Sequence, residues 1–112
     1  MSDQTMATLP FINEIQIKAV LDWGPLMDTL EQAMIDFSAG DVAQPVRQFV
    51  QVPGHDAIIA AMPAVGEAMA VKVVTLYHEN AGTEVPTHQA VILEFNKDNG
   101  SPLAVLVCLA KI

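Results

Sequence analysis

Apolar residues along this chain recur at helical spacing up to about residue 40 and at alternate positions beyond it. Asn13 is placed to cap a short helix running to Leu21, with Glu14 in its first turn and Ile12, Ile15 and Ala19 turned inward. Trp23-Gly24-Pro25 interrupts that pattern, and Pro25 suits the first position of a second helix. In this second helix Leu26, Leu30, Ala33, Met34 and Phe37 form one stripe, with Asp28, Glu31, Gln32 and Asp36 largely opposite. Met27 and Met34 read as core filler rather than as ligands. Gly40 follows as a left-handed residue beyond the helix end. Residues 1–10 read as a loose lead-in.

Period-two segments then follow at Val46–Val52, Ala57–Ala64, Ala68–Tyr77, His88–Phe95 and Leu103–Leu109. Pro53-Gly54-His55-Asp56, Gly66-Glu67, the polar stretch 78–86 and Asn96-Lys97-Asp98-Asn99-Gly100 separate them. Met62-Pro63 lies within one segment, where proline suits a sheet edge or a bulge. Two helices followed by about five mainly antiparallel strands make an α+β fold, with residues 1–112 as one domain.

Two features sit uneasily with so small a domain. Leu103 to Leu109 is apolar on both faces, which calls for a layer on each side, and two helices can cover only one. A second copy of the chain or another domain is expected to cover the rest. The other feature is a pair of cations among apolar residues. Arg47 is the only arginine, and Lys72 shares a face with Ala70, Val74 and Leu76. A cation in a buried strand needs an anion or a polar partner.

Composition narrows the partners. A net charge of −8 over 112 residues argues against nucleic acid or an anionic membrane surface. With 52% hydrophobic residues and a mean hydropathy of +0.36, the chain is not of disordered type. The longest apolar run is shorter than the roughly 20 residues that a membrane helix needs, and no signal-peptide pattern opens the sequence. The single Cys108 cannot form an internal disulfide, which fits a reducing, cytoplasmic setting.

The candidate chemistry is correspondingly sparse. Arg47 and Lys72 suit an anion clamp, the guanidinium gripping a carboxylate through two parallel hydrogen bonds and the ammonium adding a point charge. The plainer alternative pairs them with an internal acid such as Glu94, or sends their ends to water. His88 at a strand mouth suits a proton donor or a ligand contact, or is simply a polar terminus. His55 and His78 are assigned to solvent. No metal-ligand spacing, P-loop, G-x-G-x-x-G or G-x-S-x-G is present, and no nucleophile has a positioned base.

Six short motifs recur in a distinctive order: Phe37-Ser38-Ala39-Gly40, Gln44-Pro45-Val46-Arg47, Met62-Pro63-Ala64, Val71-Lys72-Val73-Val74-Thr75, Val85-Pro86-Thr87-His88-Gln89-Ala90 and Asn99-Gly100-Ser101-Pro102-Leu103-Ala104-Val105. In these the chain resembles the N-terminal part of the ornithine cyclodeaminase/mu-crystallin family, on its ketimine reductase side, from the first helix to about Leu106. The resemblance implies a homodimer whose substrate-binding and dimerisation domain accompanies a Rossmann domain holding NAD or NADP. It implies that Arg47 and Lys72 bind the carboxylate of a small carboxylate or imino-acid substrate, and that Thr87 and His88 approach the nicotinamide cofactor.

The pattern departs from the family after Leu106. The family's Asp-Gly pair and Arg-Thr-Ala helix are replaced by Val107-Cys108-Leu109-Ala110-Lys111-Ile112. The resemblance therefore implies a truncated domain with no Rossmann fold, no catalytic residue and no cofactor bound by this chain alone. Self-association without turnover is expected. The alternatives are the record of a full NAD(P)-dependent reductase or cyclodeaminase, a non-catalytic carboxylate-binding dimer, and an unrelated hot-dog-like dimer.

Overall fold

The computed structural model describes residues 9–110, so all of the lead-in but Leu9 and Pro10 lies outside it. Its elements are β1 (Phe11–Ile12), α1 (Glu14–Val20), α2 (Trp23–Ser38), β2 (Gln48–Gln51), β3 (Ala57–Val65), β4 (Met69–Tyr77), a 3₁₀ turn (His78–Asn80), β5 (His88–Phe95) and β6 (Pro102–Ala110). The six strands form one sheet in the order β1-β6-β5-β4-β3-β2. Strands β2 to β6 pair antiparallel, each beside its neighbour in sequence. The α+β expectation holds, with one strand more than the pattern predicted. Two residues, Phe11 and Ile12, pair parallel with Val105 and Leu106, and so short a segment leaves no readable alternation.

Local chemistry sets the helix ends. Asn13 Oδ1 accepts from the Gln16 N–H at 2.9 Å while Gln16 Oε1 accepts from the Asn13 N–H at 2.8 Å, a reciprocal capping box. Asn13→Ala is expected to cost about 1 kcal/mol, seen as a lower urea midpoint at unchanged slope. Helix α2 begins two residues earlier than Pro25 suggested, at Trp23 after the Asp22 cap. Pro25 still fits, because amides of the first turn have no partner within the helix. At the other end Gly40 takes φ +82°. Its N–H reaches the Phe37 carbonyl and the Asp41 N–H reaches the Asp36 carbonyl, the paired bonds of a Schellman stop.

The expected core is not where the helix stripe placed it. Leu30, Met34 and Phe37 are more than half exposed, and Met27 is as open. The reason is spacing: α2 stands off the sheet, and clefts open between them. One of about 760 Å³ separates Ala33 and Asp36 from Ala64 and Ala68. Among the described residues the only hydrophobic ones buried in this chain are Ala57, Ala60 and Ala90. The radius of gyration is 16.1 Å, against about 13 Å for a compact domain near this size. The fold presents large apolar surfaces that its described residues leave uncovered.

Candidate functional site

Antiparallel register decides which side chains share a face. Met62 lies opposite Lys72, Lys72 opposite Ile92, and Ile92 opposite Leu106, so these four form one row across β3 to β6. The next row towards the loop end is Ala60, Val74, Ala90 and Cys108, and the one beyond it holds Ile58, Leu76 and His88. Lys72 and His88 therefore stand about 13 Å apart along the strands. Between them runs a floor of small side chains, of which Ala60 and Ala90 are buried.

Arg47 reaches this face through an irregularity. Ala43 pairs with Val65, and Gln48 pairs with Ala61, so five steps on one side oppose four on the other. The extra residue falls between these two pairings, in a stretch with Pro45 on one side and Pro63 on the other. Neither can donate a ladder hydrogen bond, and the segment bulges from the edge. Strand β2 accordingly starts at Gln48, two residues later than the alternation predicted. Arg47 lies just outside it and lines a cleft of about 300 Å³ with Phe37, Gln44, Pro45, Val46 and Met62. Arg47 and Lys72 thus flank Met62 from either side.

Burial of these cations, expected from their apolar neighbours, is not found: both are exposed in this chain. Helix α2 stands off this side of the sheet, with open clefts rather than packed side chains between them. Neither has an ion pair or side-chain hydrogen bond among the described residues, so the pairing with Glu94 weighed from sequence is not made.

Thr87 and His88 come together at the other end of the face. Thr87 is buried, and its Oγ1 lies 3.2 Å from His88 Nδ1, in hydrogen-bond contact. Backbone bonds hold the pair in place, for the Tyr77 N–H donates to the Thr87 carbonyl at 2.9 Å. Asn80 Nδ2 donates to the Pro86 carbonyl at 3.1 Å. A clasp that sequence reasoning missed supports this loop. His55 Nδ1 meets Glu79 Oε1 at 2.9 Å, and Glu79 Oε2 accepts from the Asp56 N–H at 3.0 Å. Nothing local marks that pair, because its members lie 24 residues apart.

The hydrogen bond from His55, then that from the Asp56 amide, hold the Glu79 carboxyl below the usual glutamate range. A carboxyl lowered by folding stabilises the clasp above the unfolded glutamate value, and that contribution disappears as pH falls through the lowered one. His55→Ala is expected to move the Glu79 titration back up, part of the way, because the Asp56 amide remains. A carboxyl-detected NMR titration measures this.

The comparisons with known proteins agree with this architecture. The family model "Ornithine cyclodeaminase/mu-crystallin family" matches residues 6–108, nearly the whole chain. This chain belongs to the ornithine cyclodeaminase/mu-crystallin family. Within that family it is 42% identical over 87 residues to ketimine reductase mu-crystallin of Mus musculus, and 41% identical over 87 residues to that of Rattus norvegicus. Each match covers 72% of this chain but 28% of the relative, so the chain spans little more than a quarter of their length. Among solved structures it is similar to Thermococcus litoralis Δ1-pyrroline-2-carboxylate reductase in complex with NADH and L-proline. The TM-score is 0.82 with 28% identity over 88% of this chain and 32% of that one. An archaeal alanine dehydrogenase dimer with bound NAD shares the fold at TM-score 0.81 and 20% identity, over 88% of this chain and 31% of its own.

Proposed function

We propose that this chain is the substrate-binding and self-associating region of an imine-reducing or cyclodeaminating enzyme of its family. The observation that carries this reading is the pair of cations, Arg47 and Lys72, set either side of Met62 on one sheet face with no acidic partner among the described residues. A carboxylate seated over Met62 would receive the guanidinium fork on one side and the ammonium on the other. The relative from Thermococcus litoralis holds L-proline, a ligand of that chemistry, and supports the reading.

The same relative holds NADH, and a nicotinamide nucleotide is the cofactor this reading implies. The fit is partial. Thr87 and His88 offer a hydroxyl and an imidazole at the end of the site-bearing face, suited to the nicotinamide amide or ring. The chain has no glycine-rich turn opening a helix, the usual cradle for the pyrophosphate. In this reading the described residues supply binding groups and bind no nucleotide by themselves, and the choice between NAD and NADP rests on residues outside them. The exposed stripe of α2 supplies surface for a second copy. A cytoplasmic setting is consistent with the single cysteine.

Titrating L-proline into the wild type and into Arg47→Ala by calorimetry tests the assignment. Binding that is weakened in the variant supports it. Identical isotherms in the two proteins would remove the carboxylate clamp.

A further inference from the structure

Two connections share the end of the sheet that carries Thr87 and His88. Ala57 pairs with Tyr77 at the start of β3, and the Tyr77 N–H donates to the Thr87 carbonyl. The β2–β3 turn therefore lies beside the loop that leads into β5. Gly54, at φ +82°, shapes that turn, and the His55 N–H donates to the Val52 carbonyl at 3.2 Å. The turn meets the 3₁₀ segment through backbone and side chains alike. The His78 N–H donates to the Asp56 carbonyl at 3.2 Å, while the Glu79 carboxylate spans the Asp56 amide and the His55 ring nitrogen. The His55 ring also lies against Tyr77, with centroids 5.9 Å apart.

Asn80, the next residue, holds the other side of the loop. Its Nδ2 donates to the Pro86 carbonyl, which also accepts from Gln89 Nε2 at 3.4 Å. Adjacent residues are thus tied in opposite directions, Glu79 outward to the turn and Asn80 across to Pro86. Pro86 leads directly into the buried Thr87, whose Oγ1 contacts His88 Nδ1. Hydrogen bonds and single peptide links alternate all the way from His55 to His88.

We propose that Glu79 is a positioning residue, its grip on the 53–56 turn setting the Thr87 hydroxyl and the His88 ring for ligand contact. The assignment rests on the reading of Thr87 and His88 as contacts of a nicotinamide. Glu79 acts through Asn80 and Pro86. Its side chain is 45% exposed and that of His55 51%, so the clasp adds little to global stability. It restricts a loop rather than holding the sheet together.

Ring-nitrogen NMR of His88 in the 112-residue chain tests this, with urea unfolding alongside. A ring held against one hydroxyl favours one tautomer, whereas a released ring averages over both. Glu79→Ala is expected to shift the His88 ring signals towards the averaged values while the urea midpoint stays close to wild type. His55→Ala, which leaves the Asp56 bond, is expected to move them part of the way. Glu79→Gln is expected to restore them, its oxygen accepting from the Asp56 N–H and its nitrogen meeting the His55 ring. Glu84→Ala takes an exposed acid from the same loop and is expected to change nothing. His88 signals that hold still in Glu79→Ala, or shift equally in Glu84→Ala, would overturn the positioning role alone, as would a shift that Glu79→Gln fails to reverse. Reduced nicotinamide mononucleotide added to the wild type probes the underlying reading separately. Thr87 and His88 amide signals that ignore it would overturn the cofactor contact on which the assignment rests, and a response that weakens in Glu79→Ala supports both.

Discussion

Replacing Arg47 by alanine is expected to weaken carboxylate binding by about ten- to a hundredfold. The figure follows from hydrogen bonds to charged groups, worth about 1.5–3 kcal/mol, where each 1.4 kcal/mol is about tenfold in affinity. The bulge at Pro45 sets the guanidinium in the cleft beside Met62, where both arms of its fork are free of acidic neighbours. Lys72→Ala should lose less, because an exposed ammonium is a hydrated point charge without a fixed fork. The double variant should lose less than the sum of the two, since both cations address one anion and residues sharing a ligand couple. Arg47→Lys should restore little, for the geometry and not the charge is what is lost. Affinity should also fall as salt rises, because both groups face water. Titrations of the wild type and the four variants at two ionic strengths would show all of this at once.

The second large effect concerns assembly. The chain is expected to sediment as a dimer or larger at micromolar concentration, and Met34→Glu is expected to weaken that association by about thirtyfold or more. Met34 is 68% exposed in the middle of a stripe that continues through Leu30 and Phe37. A contiguous apolar surface of this kind marks an interaction site, and a central interface residue typically contributes about 2 kcal/mol or more when truncated. Glutamate is a good helix former, so α2 itself should persist and circular dichroism should not change. A charge set on the expected contact surface is then the sole perturbation. Wild type running as a clean monomer across the micromolar range would sink the idea.

The two helices and five strands were legible because each depends on local signals. Asn13 and Gln16 announce the first cap, Gly40 the end of α2, and alternation the strands from Ala57 to Ala110. The missing strand, Phe11–Ile12, is too short to alternate and exists only because β6 offers it an edge. The burial of α2 was misjudged for another reason. Helical periodicity shows that a face wants covering, not that this chain supplies the cover, and Leu30, Met34 and Phe37 remain open. The same gap explains Lys72, whose apolar neighbours promised burial that the described residues do not provide. In the candidate site, residue types pointed to Arg47 and Lys72. Their convergence on Met62 needed the register and the bulge, neither of which a one-dimensional pattern contains. The clasp of His55 with Glu79, joining residues far apart in sequence, was beyond reach in the same way.

The parallel pairing of β1 with β6 has a consequence for how the domain is made. Phe11 and Ile12 leave the ribosome before the other described strands, yet their partners Val105 and Leu106 belong to the last of these. The antiparallel ladder from β2 to β6 can zip from neighbour to neighbour through short turns, whereas the first strand must wait for the final one. Its docking closes a loop of almost all the described residues, the kind of contact that slows folding most. The seam between first and last strands is therefore expected to be the latest part of the sheet to gain protection in pulse-labelled hydrogen exchange.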